Sequence, residues 1–307
     1  MARYLLSRLL QSLAVLWIVL TLAFFMVKAT PGNPFASDKA SSPFVVAQNN
    51  KVFGLDKPVP VQYAIYLKNL LNGEMGWSFK YEGRSVSEII RDSFPTSLKL
   101  GLVALIIAIL IGTPIGVIAA VRQNTVTDYV PMSLAMLGIC LPTFVMGPIL
   151  ATIFGLKLGW FNVAGFTEWS DLILPGTTIG LFYAAYFARL ARAGMLESLS
   201  QDYIRTAKAK GLPGWRIVVF HSLRGGLMPL LSFLGPAMAG LVVGSFVVES
   251  VFRIPGLGQH FTEAAMNKDY SLVLGTTAFY CALLVVANLA VDVLQVLLNP
   301  RLRFSAS

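Results

Sequence analysis

Catalysis by side chains needs nucleophiles, acids or metal ligands within reach of one another, and this sequence keeps its candidates apart. Its two histidines are His221 and His260, and its two cysteines are Cys140 and Cys281. No His-Glu-x-x-His, Gly-x-Ser-x-Gly or Cys-x-x-Cys occurs. Gly-Lys is absent as a dipeptide, so there is no glycine-rich loop of the Walker A kind to cradle a nucleotide's phosphates. The residues whose spacing does carry information lie in one basic stretch, DYIRTAKAKGLPGWRIVVFHSLRGGLMPLL, from Asp202 to Leu231.

Along this stretch Leu196, Leu199, Tyr203 and Ala207 fall on one helical face, with Glu197, Gln201, Arg205 and Lys208 on another and Thr206 beside them. Lys208 and Lys210 occupy the last turn, where cations complement the helix dipole. Gly211 is placed to take a left-handed conformation just past the helix end, and Pro213, after Leu212, prevents continuation. Trp215, Val218 and Val219 then restart an apolar face, and His221 and Arg224 close the segment. Such a capped, basic helix–turn–helix does recognition rather than bond chemistry. It can fix membrane topology, attract anionic headgroups at about 1 kcal/mol per basic residue, or dock into a groove of a protein partner.

The elements that position this loop are apolar. Of the 307 residues, 56% are hydrophobic and only 13% charged, against about a quarter charged in soluble domains. The mean hydropathy is +0.69. Charge-free runs of about 20 residues cross a bilayer. Six are present: Leu9–Val27, Leu100–Val121, Tyr129–Leu156, Leu172–Ala188, Gly225–Val248 and Tyr270–Val291. The first has a core of 19 residues, longer than a cleaved signal's apolar region, and is expected to stay as an anchor. Cys140 and Cys281 lie inside two of these runs and are expected as small apolar core residues.

With six spans and the N-terminus inside, the inner segments hold twelve basic residues: Arg3, Arg8, Arg122, Arg189, Arg192, Arg205, Lys208, Lys210, Arg216, Arg224, Arg301 and Arg303. The short outer loops hold three, Lys157, Arg253 and Lys268. This bias places both termini and the basic loop in the cytoplasm. It also accounts for the net charge of +9 without a nucleic-acid partner.

Between the first two spans, some seventy residues form an expected outer subdomain. Ser42-Pro43 reads as a helix start before Phe44-Val45-Val46, and Val61, Ile65, Tyr66, Asn69 and Leu70 recur at helical spacing. Ser85 to Glu88 fits a capping box. Within the spans, Gly112–Gly116, Gly176–Gly180 and Gly240–Gly244 match the small-residue spacing of closely packed helices. Asn288 and Asp292, one turn apart near the inner end of the last span, are expected to make an interhelical polar contact.

The loop resembles the cytoplasmic signature of permease subunits in binding-protein-dependent ABC importers, Glu-Ala-Ala, three residues, Gly, nine residues, Ile-x-Leu-Pro. Gly211 aligns with its glycine, Arg205-Thr206-Ala207 stand at the Glu-Ala-Ala positions, and His221-x-Leu223-Arg224 replaces Ile-x-Leu-Pro. This variant is similar to the dipeptide and oligopeptide permease branch. The likeness extends to Gly54-Leu55-Asp56-Lys57-Pro58, Gln62-Tyr63, Phe94-Pro95-Thr96-Ser97-Leu98, Glu249-x-x-Phe252-x-x-Pro255-Gly256-Leu257-Gly258, Lys268-Asp269-Tyr270, Asp292 and Asn299-Pro300-Arg301.

The resemblance implies an all-α membrane protein with six transmembrane helices of the type I ABC importer permease fold, and a small extracytoplasmic subdomain between helices 1 and 2. The implied division is an anchor over 1–28, an outer subdomain over 29–95, a core over 96–298 containing the coupling loop 189–224, and a tail over 299–307. It implies a transport subunit rather than an enzyme, in a bacterial inner membrane. The implied partners are a second homologous permease, two cytoplasmic ATPase subunits that bind the ATP and Mg, an extracytoplasmic peptide-binding protein and the peptide. Related permeases carry nickel or oligosaccharides, and these are the alternative solutes; a stand-alone channel or a membrane enzyme is the remote alternative.

Overall fold

The computed structural model describes residues 2–30, 48, 50–243 and 245–298. The expected helix start at Ser42-Pro43, Gly244, Asn299-Pro300-Arg301 and Arg303 lie outside the described residues. Apart from one antiparallel bridge between Trp77 and Ser85, the regular structure among the described residues is helical. A helix suits apolar runs of this length in lipid, since it satisfies its backbone groups internally.

The elements run α1 Ala2–Ala29, α2 Val59–Leu71, α3 Val86–Val121, α4 Val126–Cys140 and α5 Thr143–Lys157. They continue with α6 Ile173–Leu199, α7 Asp202–Ala209, α8 Gly214–Gly226, α9 Met228–Val243, α10 Phe246–Phe252, α11 Leu257–Met266 and α12 Tyr270–Leu298. The capping box is present: Glu88 N–H donates to Ser85 Oγ at 3.2 Å and Ser85 N–H to Glu88 Oε2 at 2.9 Å. It starts α3 well before the expected span, so the helix runs 36 residues, about 54 Å at 1.5 Å per residue.

Among the described residues, three helices are continuous and apolar enough to cross a membrane, and up to five spans result if each of two bent pairs counts as one. The expected third span is broken by 106° between α4 and α5, the expected fifth by 49° between α8 and α9. The first break has a clear cause: Pro142 forces Leu141 into extended backbone at φ −86°, ψ 114°, which ends the helix. The expected fourth span is α6, a continuous 27-residue helix diluted by glycine, threonine and tyrosine. Because α6 buries Leu174, Ile179, Phe187 and Met195 against its own chain, it faces little lipid and needs less apolarity.

Packing divides the chain into two units. One comprises Ala2–Pro95 and Gly256–Val285; the other comprises Thr96–Pro255 and the chain from Val286. Residues Gly256–Val285 pack with the N-terminal part. Asp269 Oδ2 accepts bonds from Ser78 Oγ and from the N–H groups of Phe79 and Lys80, and a Cβ at Gly275 would lie 2.5 Å from Val86 Cγ1.

Within the second unit the glycine pairs make one continuous crossing. A Cβ on Gly112 or Gly116 of α3 would lie 2.3 or 2.2 Å from the carbonyl oxygen of Ala184 or Ala188 on α6. Reciprocally, Gly176 and Gly180 of α6 meet Val103 and Ala104 of α3. Both numberings rise together, so α3 and α6 run parallel, and the bent α4–α5 pair returns the chain to the end where α6 starts. Gly240 presses α9 onto Tyr183, with its Cβ direction 2.3 Å from the hydroxyl. Cys140 departs from expectation: it is exposed on α4, while Cys281 is half-buried, and neither forms a disulfide.

Candidate functional site

The basic loop begins where α6 ends at Leu199, and α7 starts afresh at Asp202. The turn at Ser200–Gln201 resets the helical phase, so the expected single face through Leu196, Leu199 and Tyr203 is not formed. Instead Ile204 and Ala207 are buried with Ile217, and Leu212 packs against them. Tyr203 is exposed, with its hydroxyl 2.9 Å from Ser198 Oγ.

The end of α7 is a Schellman motif. Gly211 has φ +75°, its N–H donates to Lys208 O at 2.9 Å, and Leu212 N–H donates to Ala207 O at 3.3 Å. The burial of Leu212 against Ala207 supplies the apolar contact that accompanies this motif. No atom would crowd a Cβ at Gly211, so its requirement is purely conformational. Arg205, Thr206, Lys208 and Lys210 all face outward. Arg205 pairs with Asp202 at 3.3 Å, both side chains being largely exposed, so the pair adds little. Thr206 Oγ1 donates to Asp202 O.

Beyond Pro213, α8 opens into a wide π-type turn over Ile217–Ser222. The restarted apolar face is not a buried one: Trp215 is 59% and Phe220 69% exposed, edge to face at 6.2 Å, while Ile217 turns inward. A proline-started helix with a widened turn shifts side-chain directions off the 3.6-residue period. His221 is exposed, with Nδ1 3.3 Å from Arg216 O, and Arg224 is exposed.

Two contacts fasten the loop to α6. Ser198 Oγ donates to Ser222 O at 2.9 Å, and Ser222 Oγ lies 3.0 Å from Ser198 Oγ and 3.8 Å from Met195 Sδ, with Ser222 wholly buried. Next to it the backbones touch: a Cβ on Gly194 would sit 2.2 Å from Gly226 O. One turn up, Arg192 donates from Nε and Nη2 to the two oxygens of the buried Asp128, at 2.6 and 2.7 Å, tying α6 to the start of α4. The arrangement is a frame that presents outward an eight-residue helix, the side chains of Arg205, Thr206, Lys208, Lys210, His221 and Arg224, and the rings of Tyr203, Trp215 and Phe220.

Two family models match the chain. Residues 112–304 match the binding-protein-dependent transport system inner membrane component, and residues 1–101 match the N-terminal region of such membrane components. The chain belongs to this family.

Among its relatives, the oligopeptide transport system permease proteins OppB of Haemophilus influenzae and Escherichia coli K12 are each 42% identical over 306 residues, covering 99% of this chain and all of theirs. The dipeptide transport system permease protein DppB of Bacillus subtilis is 40% identical over 303 residues, covering 99% of this chain and 98% of its own. The same fold occurs in an inward-facing structure of the MetNI methionine ABC transporter, with a TM-score of 0.56 at 18% identity over 69% of this chain and 96% of that one. It occurs again in an amino acid ABC transporter crystallised with histidines, with a TM-score of 0.51 at 16% identity over 70% and 94%. As a member of this permease family, the chain is a membrane transport component.

The remaining motif residues of this permease are held by carboxylates. In one unit Glu249, fully buried, accepts from Ser97 Oγ at 2.7 Å and Ser245 Oγ at 2.5 Å, while Phe252 O accepts from Gly165 N–H. In the other, Tyr81 donates to Glu263 Oε2 at 2.7 Å and lies 3.0 Å from His260 Nδ1. Burial, reinforced by the bond to Glu263, pushes the Tyr81 hydroxyl up to about 12, so it keeps its proton; burial pushes His260 down. Asp171 is held below the usual carboxylate range by the backbone N–H groups of Glu168 and Thr167. Near the chain's end, Asn288 packs on α9, its Oδ1 2.6 Å from the Cβ direction of Gly235, and Asp292 is half-buried one turn on.

Sequence reading missed Ile204, Ile217, Ser198, Ser222 and the Asp128–Arg192 pair. Ser222 is the unspecified position in His221-x-Leu223-Arg224, and a buried small residue between two exposed basic ones is the signal that it has a partner.

Proposed function

We propose that this chain is one permease subunit of an ATP-driven importer of peptides, forming half of the translocation pathway. The observation that carries the reading is its end-to-end likeness to permeases named for oligopeptide and dipeptide transport. A second homologous permease completes the pathway as a heterodimer, and an extracytoplasmic peptide-binding protein delivers the peptide. The chain lies in an inner membrane with both termini in the cytoplasm, on the same side as two ATPase subunits that hold the ATP and Mg. Six spans follow when α4–α5 and α8–α9 each cross once and α6 is counted, with the outer subdomain over 29–95.

Tyr203, Arg205, Thr206, Ala207, Lys208, Lys210, Gly211, Leu212, His221 and Arg224 form the coupling loop. Closure of the ATPase pair displaces α7, and the Ser198–Ser222 and Gly194–Gly226 fastenings pass that displacement to α6 as a unit. Because α6 meets α3 backbone to backbone, the two helices move together and alternate the access of the pathway. Asn288 and Asp292 hold α12 against α9 through this step. The test is peptide uptake into cells or vesicles carrying Gly211→Val: transport is lost while membrane insertion and recovery of the ATPases are retained. Normal uptake by that variant overturns the coupling role, and co-purification of this chain without any ATPase overturns the importer reading.

A further inference from the structure

The N-terminal unit contains a cavity of about 340 Å³ whose lining is described entirely within that unit. It lies between the end of α1, the start of α12 and the segment that leads through α2. Lys28 stands in the last turn of α1, and Tyr270 begins α12. Both are ends of membrane-crossing helices, so the cavity sits at one membrane face, at the depth of lipid headgroups.

Its charge is unbalanced. Lys28, Lys51 and Lys57 line it against a single carboxylate, Glu74. Among the described residues none of the three lysines is in an ion pair. Lys28 is half-buried over the rings of Phe24 and Tyr270, 5.8 and 5.6 Å from their centroids. A cation withdrawn from water onto aromatic faces still gains most from an anion.

The other two lysines are set in place by a turn. Gly54, at φ +66°, donates its N–H to Lys51 O, and Lys57 lies over it, with Cδ 3.9 Å from the Cβ direction. Gln62 Nε2 donates to Leu55 O and Lys57 O, which fixes the turn to α2. The walls are otherwise apolar, with Phe24 stacked on Tyr66 at 5.6 Å.

We propose that this cavity binds the phosphodiester headgroup of an anionic phospholipid, the lysines meeting the phosphate and the aromatic wall the start of the acyl chains. The size is that of a small-ligand site, and the mixture of aromatic wall and cations suits an amphiphilic anion better than a free inorganic one. The site goes beyond the transport reading and does not depend on it, because its readout is lipid binding.

The experiment titrates the full chain, purified in mild detergent with the subunits that accompany it, and counts retained lipid by native mass spectrometry. The probes are phosphatidylglycerol, phosphatidylethanolamine and inorganic phosphate. Phosphatidylglycerol binds tightest, and Lys51→Gln with Lys57→Gln, both at exposed positions, weakens it about fivefold per lysine removed. Lys28→Gln weakens it by a similar factor. Lys68→Gln, which removes the same charge from α2 outside the cavity, leaves it unchanged. Equal affinity for the two lipids, an equal loss in Lys68→Gln, or inorganic phosphate binding as tightly as phosphatidylglycerol overturns the proposal.

Discussion

At the residue scale, Gly211 shows what a single backbone angle does. Its left-handed φ of +75° closes the Schellman motif in open space, so Gly211→Ala is expected to cost about 1 kcal/mol from backbone strain alone. Gly211→Val, β-branched, costs more, and Gly211→Asn less, an order that thermal unfolding in detergent would reveal. Ser222 is the opposite case, set by its partners. Ser198→Val removes the donor to Ser222 O and the side-chain partner of both the Ser222 and the Tyr203 hydroxyls, leaving the buried Ser222 groups unsatisfied, a loss of about 1–3 kcal/mol. Limited proteolysis of the loop is the sensitive readout, and unchanged cleavage would show that the fastening is not there. His260 adds a pH dependence. Burial lowers its folded pKa below the ordinary value near 6.5, so the unfolded chain takes up the proton first on acidification. The contribution of His260 is therefore complete above about pH 6.5 and lost as pH falls through the lower folded pKa. Between about pH 7.5 and 5.5, His260→Gln should flatten the fall in melting temperature relative to the unaltered chain.

At the scale of elements, the α3–α6 crossing is the tightest helix contact that the sequence anticipated. Small-residue spacing was legible at Gly112–Gly116 and Gly176–Gly180, but pairing them with each other required the packing. Gly116→Val would force a side chain to within 2.2 Å of a carbonyl oxygen that cannot move without the helix, an overpacking cost of about 3 kcal/mol. The expected outcome is a chain that inserts but elutes in aggregates, whereas Gly214→Ala, in open space, elutes normally. The same scale explains what pattern reading got wrong. A continuous apolar face through Tyr203 assumed one helix, and the turn at Ser200–Gln201 rotates the face so that Ile204 is buried instead. Trp215 and Val219 were read as restarting an apolar face, and the widened turn over Ile217–Ser222 leaves them exposed.

At the scale of the whole molecule, the many exposed apolar residues on α1, α4 and α5, including Trp17, Leu134 and Phe144, await lipid or other subunits. A mild-detergent pull-down from native membranes is expected to bring down a second permease of the same family and ATPase subunits. Double replacement of Trp215 and Phe220 by Ser should reduce ATPase recovery several-fold while leaving the second permease in place, because those rings lie on the loop and not on the spans. Composition, charge bias and the apolar runs were sufficient for a helical membrane protein with a basic, capped loop, since burial in lipid and helix-end chemistry are both local demands on sequence, and the permease reading came from the motifs' resemblance to a family. Which residues of that loop face inward, that Ser198 holds Ser222, that Asp128 holds Arg192, and that residues 256–285 pack with the N-terminal unit were decided only in three dimensions. Those contacts join positions tens to nearly two hundred residues apart, and no local periodicity records which distant partner will satisfy a buried polar group.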